Sequence, residues 1–90
     1  MSAKVLIPPP YRGPTQGEAQ LMVDADTVLA CLQAVEQKFP GFLPQVLDAT
    51  GAVHRFVKLF LNGDLLDPKR LDRAIAAGDE LEIVAAIAGG

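Results

Sequence analysis

The sequence predicts an α+β fold in which a mixed β-sheet carries one main helix across one of its faces. Short segments with alternating apolar residues near both ends predict strands, and one segment between them has apolar residues at helical spacing. Proline and glycine separate these segments, as is typical of turns and loops. With 90 residues, the chain is long enough for one small domain. Packing one helix on one sheet buries all of these apolar stripes.

The first two strands are predicted near the amino end. Residues 3–7, "AKVLI", are rich in branched side chains and end at three consecutive prolines. Residues 18–24, "EAQLMVD", alternate, with Ala19, Leu21 and Val23 on one side. The proline- and glycine-rich residues between them form a loop, so we expect the two strands to pair.

The main helix is predicted directly after the second strand. Its apolar residues recur at spacings of four, three and four: Val28, Leu32, Val35 and Phe39. Asp26 or Thr27 can accept hydrogen bonds from the free amides at its start. Pro40 and Gly41 end it, because proline lacks an amide donor and glycine adopts the left-handed conformation of a helix cap.

A hairpin is predicted in the second half of the chain. Residues 41–55 lack a sustained period and are interpreted as a connection with a short turn of helix. In the segment "FVKLFLNGDLL", Val57, Leu59 and Leu61 alternate with outward-facing residues, and Asn62-Gly63 is a pair that tight hairpin turns prefer. A strand, a turn and a short return strand follow from this pattern.

The last elements are a helical turn and a strand. Residues 71–80 are interpreted as a short helical turn that Gly78 ends. Residues 81–88, "LEIVAAIA", are interpreted as a strand with Leu81, Ile83 and Ala85 facing inward. The predicted domain covers residues 1–88, and residues 89–90 form a flexible tail.

Composition excludes several functional classes. The formal net charge is −3 and the basic residues are scattered, which argues against a nucleic-acid-binding protein. No apolar run reaches the roughly 18–20 residues of a membrane span, and "KVLI" is too short for a signal-peptide core, so a cytoplasmic protein is expected. One cysteine and one histidine leave no internal disulfide and no metal-ligand cluster. We therefore expect no metal, no bound cofactor and no membrane partner.

One face of the predicted sheet is unusually apolar. The strand alternation directs a set of side chains away from the helix: Leu6, Met22, Lys58, Phe60 and Val84. An uncovered sheet face is normally polar, and an exposed apolar patch often marks a partner site. The hypothesis is that Leu6, Phe60 and Val84 form a partner-binding face. The alternative is that the central connection or a second copy of the chain covers this face.

The sequence ends with Gly89-Gly90 directly after the last predicted strand. Small residues also occur at frayed termini, so the pair alone is suggestive. A carboxylate on Gly90 is ionised at neutral pH and is a poor electrophile, so chemistry there needs activation, most simply by transfer to AMP at a site on another protein. Glycine has no Cβ, so Ile87, Ala88 and Gly89 are expected to enter the partner's active site as a narrow tail.

These features resemble those of the ubiquitin-like sulfur carriers. The family includes the small subunit of molybdopterin synthase (MoaD), the thiamin carrier (ThiS) and the carrier of thiocarboxylate-dependent cysteine synthesis (CysO), and the CysO type is the most similar. The resemblance covers nearly the whole chain and is strongest in "HRFVKLFLNGDLL", "AIAAGDELEIV" and "AIAGG". It implies a ubiquitin-like β-grasp fold with the first and last strands as central, parallel neighbours.

The same resemblance implies a function without a catalytic residue in this chain. A partner activating enzyme uses ATP to adenylate Gly90, a sulfur donor converts the adenylate to a thiocarboxylate, and a sulfur-accepting synthase takes the sulfur. The product is cysteine, molybdopterin or a related thio-metabolite. Two other classes stay open. One is a protein modifier joined through Gly90 to target lysines, and the other is a non-catalytic interaction module.

Other chemically reactive residues are expected to be structural. Cys31 lies on the flank of the helical stripe without a nearby basic pattern that would lower its thiol pKa. His54 has no nucleophile or carboxylate in a recognisable arrangement. The acidic residues at helix starts and turns are common in such positions: Asp24, Asp26, Asp79 and Glu80.

Overall fold

The computed structural model describes residues 2–8 and 19–85. The five strands and two helices follow the chain in this order: β1 Ser2–Leu6, β2 Gln20–Asp24, α1 Val28–Lys38, α2 Leu43–Val46, β3 Val57–Leu61, β4 Asp64–Leu65 and β5 Glu80–Ala85. The sequence therefore predicted the type of each of these elements to within a few residues at its ends. Ile87, Ala88, Gly89 and Gly90 lie outside the described residues, and so does the predicted domain boundary after residue 88.

The strands form one mixed sheet in the order β2-β1-β5-β3-β4. β1 and β5 are parallel, whereas the other neighbouring strands are antiparallel. The first and last strands are therefore central, parallel neighbours, as the resemblance implied. This sheet with one main helix is the ubiquitin-like β-grasp, and the predicted fold class is confirmed.

The core lies between α1 and the inward face of the sheet. All four residues of the predicted helical stripe are buried, and so are the inward residues of β3 and β5: Val28, Leu32, Val35, Phe39, Val57, Leu59, Leu61, Leu81 and Ile83. Ala3, Val5 and Leu21 complete the same cluster from β1 and β2. Alternation along each strand gives these residues one common face, because successive side chains point to opposite sides.

The start of α1 depends on two kinds of hydrogen bond. The Thr27 hydroxyl accepts a hydrogen bond from the Ala30 amide at 3.1 Å, so Thr27 is the N-cap. The Val28 amide donates to the Arg73 carbonyl at 3.0 Å and the Leu29 amide donates to the Leu71 carbonyl at 2.9 Å. The first free amides of the helix are thus satisfied by one side chain and by a distant segment of backbone.

The predicted helical turn at residues 71–80 is wrong. This segment runs beside the start of α1 in turns and an isolated bridge between Thr27 and Ala74. The Ile75 amide donates to the Asp26 carbonyl at 2.9 Å, and the Ile75 side chain is buried. Backbone groups of Leu71, Arg73 and Ile75 are instead paired with residues 26–29 at the start of α1, so tertiary contacts override the local preference.

The hairpin between β3 and β4 has the predicted turn. Asn62 and Gly63 both have positive φ, 52° and 86°, as a two-residue type I′ turn requires. Its register places Phe60 opposite Leu65.

The two helices are joined by a side chain of α1. The Glu36 carboxylate accepts hydrogen bonds from the Gly41 and Leu43 amides and holds α2 against α1. Neither helix in the described ranges could span a bilayer.

Candidate functional site

The described strand closest to the predicted reactive end is β5, and it is held on both sides. β5 pairs with β1 and with β3, and Ala85, its last residue, lies opposite Val57. At its start, the Lys4 amide donates to the Asp79 carbonyl at 2.9 Å, and the Glu80 amide donates to Asn62 Oδ1 at 2.9 Å. β1 pairs with residues 80–82 of β5 and β3 pairs with residues 81–85, so the strand is paired as far as Ala85. This pairing gives the five residues that follow β5 a rigid point of attachment.

The face of the sheet opposite α1 carries the predicted partner-binding residues. Leu6 and Phe60 flank Glu82 in one cross-strand row, and Val84 lies two residues further along β5. Leu6 and Phe60 are half-buried, and Val84 is 36 % exposed. The structure thus brings these three predicted residues together on the side of the sheet that the helix leaves open. We call the surface formed by Leu6, Phe60, Leu65, Glu82 and Val84 the open face.

Leu65 and Glu82 also lie on this face, although neither was among the predicted partner-binding residues. Leu65 is 63 % exposed and extends the row beyond Phe60. The Asn62-Gly63 turn predicts the pairing of Phe60 with Leu65, so the signal for Leu65 was present in the sequence. Glu82 follows from the alternation of β5, because it lies between the inward residues Leu81 and Ile83.

Charged side chains flank the apolar residues of the open face at both ends of β5. Lys4 lies opposite Glu80, next to Met22, at the end of the sheet where β5 begins. Lys58 lies opposite Val84, at the end where β5 leads into the terminal residues. The side of the face nearest the chain terminus is therefore cationic, whereas Glu82 lies among the apolar side chains.

Cys31 is fully buried in the core, on the inner side of α1. Its burial raises the pKa of the Cys31 thiol above the ordinary value. The neutral thiol packs as a small apolar side chain, and no solvent reaches it. This geometry does not suit a sulfur-transferring group.

The His54 side chain is used in local packing. Its Nε2 lies 2.9 Å from the Pro44 carbonyl oxygen, and its ring stacks on Phe56 with the centroids 5.0 Å apart. The hydrogen bond to a carbonyl requires a proton on Nε2. His54 thus links the central connection to α2, and no nucleophile adjoins it in these contacts.

The acidic residues serve turns and strand ends. The Ala76 amide and the Asn62 side chain donate to the Asp79 carboxylate at 2.8 and 3.0 Å, and they hold the pKa of Asp79 below its ordinary value. Asp24 pairs with Ser2 in the β1–β2 ladder, and the Asp26 carbonyl accepts from Ile75. Within the part of the chain that the structure describes, no group of histidine, cysteine and carboxylate side chains could hold a metal ion.

A groove of about 690 Å³ lies between the end of α1, α2 and the loop that follows α2. Its polar side chains already have partners in the protein. Glu36 accepts from the Leu43 amide at 2.7 Å, and Asp48 accepts from the Thr50 amide at 2.8 Å and from the Thr50 hydroxyl at 2.6 Å. The groove therefore offers apolar walls without a converging set of free polar groups, unlike a typical small-molecule site.

The fold and the open face together define a class of protein: a small ubiquitin-like β-grasp domain whose central strand leads to a terminal diglycine. Comparison with known proteins agrees. The ThiS family model matches residues 6–90. The sulfur carrier protein CysO of Mycobacterium tuberculosis (strain H37Rv) is 33 % identical over 93 residues, and the alignment covers 100 % of each chain. The chain belongs to the ThiS family.

Solved structures show the same similarity. A chain of the Amycolatopsis orientalis BexX/CysO complex superposes with a TM-score of 0.86 at 29 % identity, covering 98 % of this chain and 99 % of that one. SAMP1 from Haloferax volcanii superposes with a TM-score of 0.84 at 26 % identity, and each chain is covered completely. The resemblance stated from the sequence is thus confirmed.

Proposed function

We propose that this chain is a sulfur carrier, a protein cosubstrate and not an enzyme, and that Gly90 carries the sulfur. The observation that carries the proposal is the match to the CysO sulfur carrier over the full length of both chains. Carriers of this kind are small proteins without a catalytic centre, and the reactive residues described above are all committed to packing or turns.

The proposed chemistry begins with activation of Gly90. A partner enzyme transfers AMP from ATP to the Gly90 carboxylate and releases pyrophosphate, which makes the carbonyl carbon electrophilic. A sulfide equivalent from a donor protein then attacks this carbon and displaces AMP, leaving a thiocarboxylate. Transfer of the sulfur to an acceptor and hydrolysis restore the carboxylate. The similarity to CysO favours cysteine as the final product, with molybdopterin as the alternative.

The geometry of β5 supports this role. Five residues separate Ala85 from the Gly90 carboxylate, and an extended chain of that length spans at most about 17 Å. Ile87, Ala88 and Gly89 are therefore long enough to pass through a narrow channel while the sheet stays outside it. Because β5 is paired with β3 as far as Ala85, a partner that binds the sheet also determines where the tail starts.

The open face supports binding of protein partners. Val84 lies near the end of β5 from which the tail leaves, and Leu6 and Phe60 lie one row further back, on either side of Glu82. An apolar patch of this kind is typical of an interaction surface. The A. orientalis neighbour comes from a complex with BexX, so a carrier of this fold does form protein complexes. We infer that Leu6, Phe60 and Val84 contact the activating enzyme and the sulfur-accepting synthase.

Fragment mass spectrometry of the chain isolated from its native cells tests the proposal. We expect one sulfur in place of one oxygen on the carboxy-terminal fragment, and this group should react with an alkylating reagent. Methionine oxidation produces a nearly equal mass increase, and Met22 is 62 % exposed, so the shift must be assigned to the fragment that holds Gly90. A chain lacking Gly89 and Gly90 is the control. An unmodified carboxylate in the presence of a competent activating enzyme contradicts the proposal.

A second candidate function is protein modification, and the similarity to SAMP1 favours it. A structure of the H. volcanii protein is described as small archaeal modifier protein 1. A modifier would form an amide between Gly90 and lysines of target proteins. High-mass adducts that survive reducing denaturation would support this function, and a thiocarboxylate without such adducts would exclude it. If deletion of the two glycines left function intact, the chain would be an interaction module instead.

A further inference from the structure

Glu82 lies in the middle of the open face without a charged cross-strand neighbour. Its partner in β1 is Leu6 and its partner in β3 is Phe60, and Val84 is the next residue of β5 on the same face. Glu82 is exposed, and no ion pair within residues 2–8 and 19–85 includes it. A carboxylate therefore stands between two large apolar side chains on the surface that we propose for partner binding.

Glu80 provides the contrast within the same strand. It is also exposed and faces the same side as Glu82, but its β1 partner is Lys4. Within the described part of the chain, no direct ion pair joins Lys4 and Glu80, but directly opposite side chains in neighbouring strands approach closely, so the Lys4 charge partly offsets that of Glu80 on the surface of the carrier. Lys4 and Lys58 lie only diagonal to Glu82, at about 7–8 Å between backbone positions. The two carboxylates thus differ in the position of the nearest lysine, which is directly opposite Glu80 but only diagonal to Glu82.

Docking of a protein over Leu6 and Phe60 necessarily removes water from Glu82. A carboxylate that loses its water without gaining a counter-charge opposes the association strongly. A guanidinium or ammonium group on the incoming surface removes this penalty, and a guanidinium can donate two parallel hydrogen bonds to a carboxylate. Charge complementarity of this kind also selects one partner and one orientation among many apolar surfaces.

We propose that the enzyme that adenylates Gly90 covers the open face with an apolar surface that contains one arginine or lysine, and that this cation pairs with Glu82. The inference rests on the proposed function, and it adds the chemistry of the partner surface and the residue of the carrier that selects it. Adenylation favours this occupant because the enzyme must hold the sheet near Ala85 while the tail reaches its nucleotide site.

The test uses the full chain and the activating enzyme purified from the same cells. Pyrophosphate release is measured at increasing carrier concentration for wild type, Glu82→Gln and Glu80→Gln. Glutamine keeps the size of the side chain and removes the charge. We expect Glu82→Gln to raise the KM for the carrier on the order of tenfold or more. The KM of this variant should also depend less on salt concentration, because an attraction between opposite charges that salt screens is lost. Glu80→Gln should change KM by less than about threefold, because Glu80 lies outside the row of Leu6 and Phe60 and already has the Lys4 charge opposite it.

Two other roles for Glu82 predict different results. If Glu82 only keeps the apolar face from self-association, Glu82→Gln should increase dimer formation in sedimentation experiments and leave KM unchanged. If Lys58 of the carrier neutralises Glu82 on docking, Lys58→Gln should raise KM as much as Glu82→Gln does. Either result overturns the inference while the adenylation of wild type upholds the proposed function. Failure of the enzyme to release pyrophosphate with wild type overturns both.

Discussion

Replacing Phe60 with aspartate should abolish partner docking and leave the chain folded. Phe60 lies on the open face, half-buried, with Glu82 opposite it in β5 and Leu65 opposite it in β4. Phe60→Asp therefore places a second negative charge at the centre of the surface that the partner must cover. The substitution distinguishes an apolar surface that binds a partner from one that stabilises the fold.

The expected loss of stability is small because Phe60 is only partly buried. Complete burial of a phenylalanine side chain contributes about 1.5–3 kcal/mol, so a half-buried one contributes roughly 1 kcal/mol. Repulsion between the new carboxylate and Glu82 directly opposite adds about 0.2–1 kcal/mol. The sum, roughly 1–2 kcal/mol, is smaller than the total free energy of unfolding of about 5–13 kcal/mol expected for 90 residues.

Leu59→Asp is the matched control on the inner side of the same strand. Leu59 is 2 % exposed, so the substitution removes a core side chain and buries a carboxylate, at a cost of more than about 5 kcal/mol. Urea denaturation followed by circular dichroism measures both variants, and pyrophosphate release measures activation. We expect Phe60→Asp to be folded but inactive as a substrate and Leu59→Asp to be unfolded.

Two results would refute this reasoning. An unfolded Phe60→Asp chain would show that the open face is part of the structural core, for example in a homodimer that the substitution breaks. A folded Phe60→Asp chain with the KM of wild type would show that the activating enzyme grips the carrier elsewhere. In the second case, Leu6 and Val84 would lose their proposed role as well.

Three further predictions concern single groups. Thr27→Ala removes the acceptor of the Ala30 amide and should lower the free energy of unfolding by about 1 kcal/mol in urea; an unchanged midpoint would mean that this cap is dispensable. Cys31 is fully buried and burial raises its pKa, so iodoacetamide should label it only in denaturant, and fast labelling of the folded chain would contradict its placement. Hydrogen bonds from Ala76 and Asn62 hold the pKa of Asp79 in the folded chain below its ordinary 3.8. The ionised carboxylate therefore stabilises the fold at any pH above the pKa of Asp79 in the unfolded chain. This contribution is lost as the pH falls through the lower pKa of the folded chain. Wild type should therefore be more stable than Asp79→Asn at neutral pH, and the difference should shrink in acid; a difference independent of pH would exclude the carboxylate charge as its cause.

Much of this protein follows from local patterns in its sequence. The spacing of Val28, Leu32, Val35 and Phe39 determined a helix and its buried side, because side chains at these spacings share one face. Asn62-Gly63 determined the hairpin, because both positions need positive φ. Alternation then assigned inward and outward residues of β1, β2, β3 and β5. The diglycine at positions 89 and 90 indicated the chemical class, which the full-length similarity to CysO supports.

Tertiary structure alone decided which of these faces meet. The segment around Ile75 is not helical, because its carbonyls and amides pair with the start of α1 from a distant part of the chain. The row that joins Leu6, Glu82, Phe60 and Leu65 exists only because β5 enters between β1 and β3 in one register. Periodicity assigns a side chain to a face, but its neighbours depend on pairing between remote strands, and a shift of one residue would turn every side chain over. The charge at the centre of the open face is therefore a property of the fold.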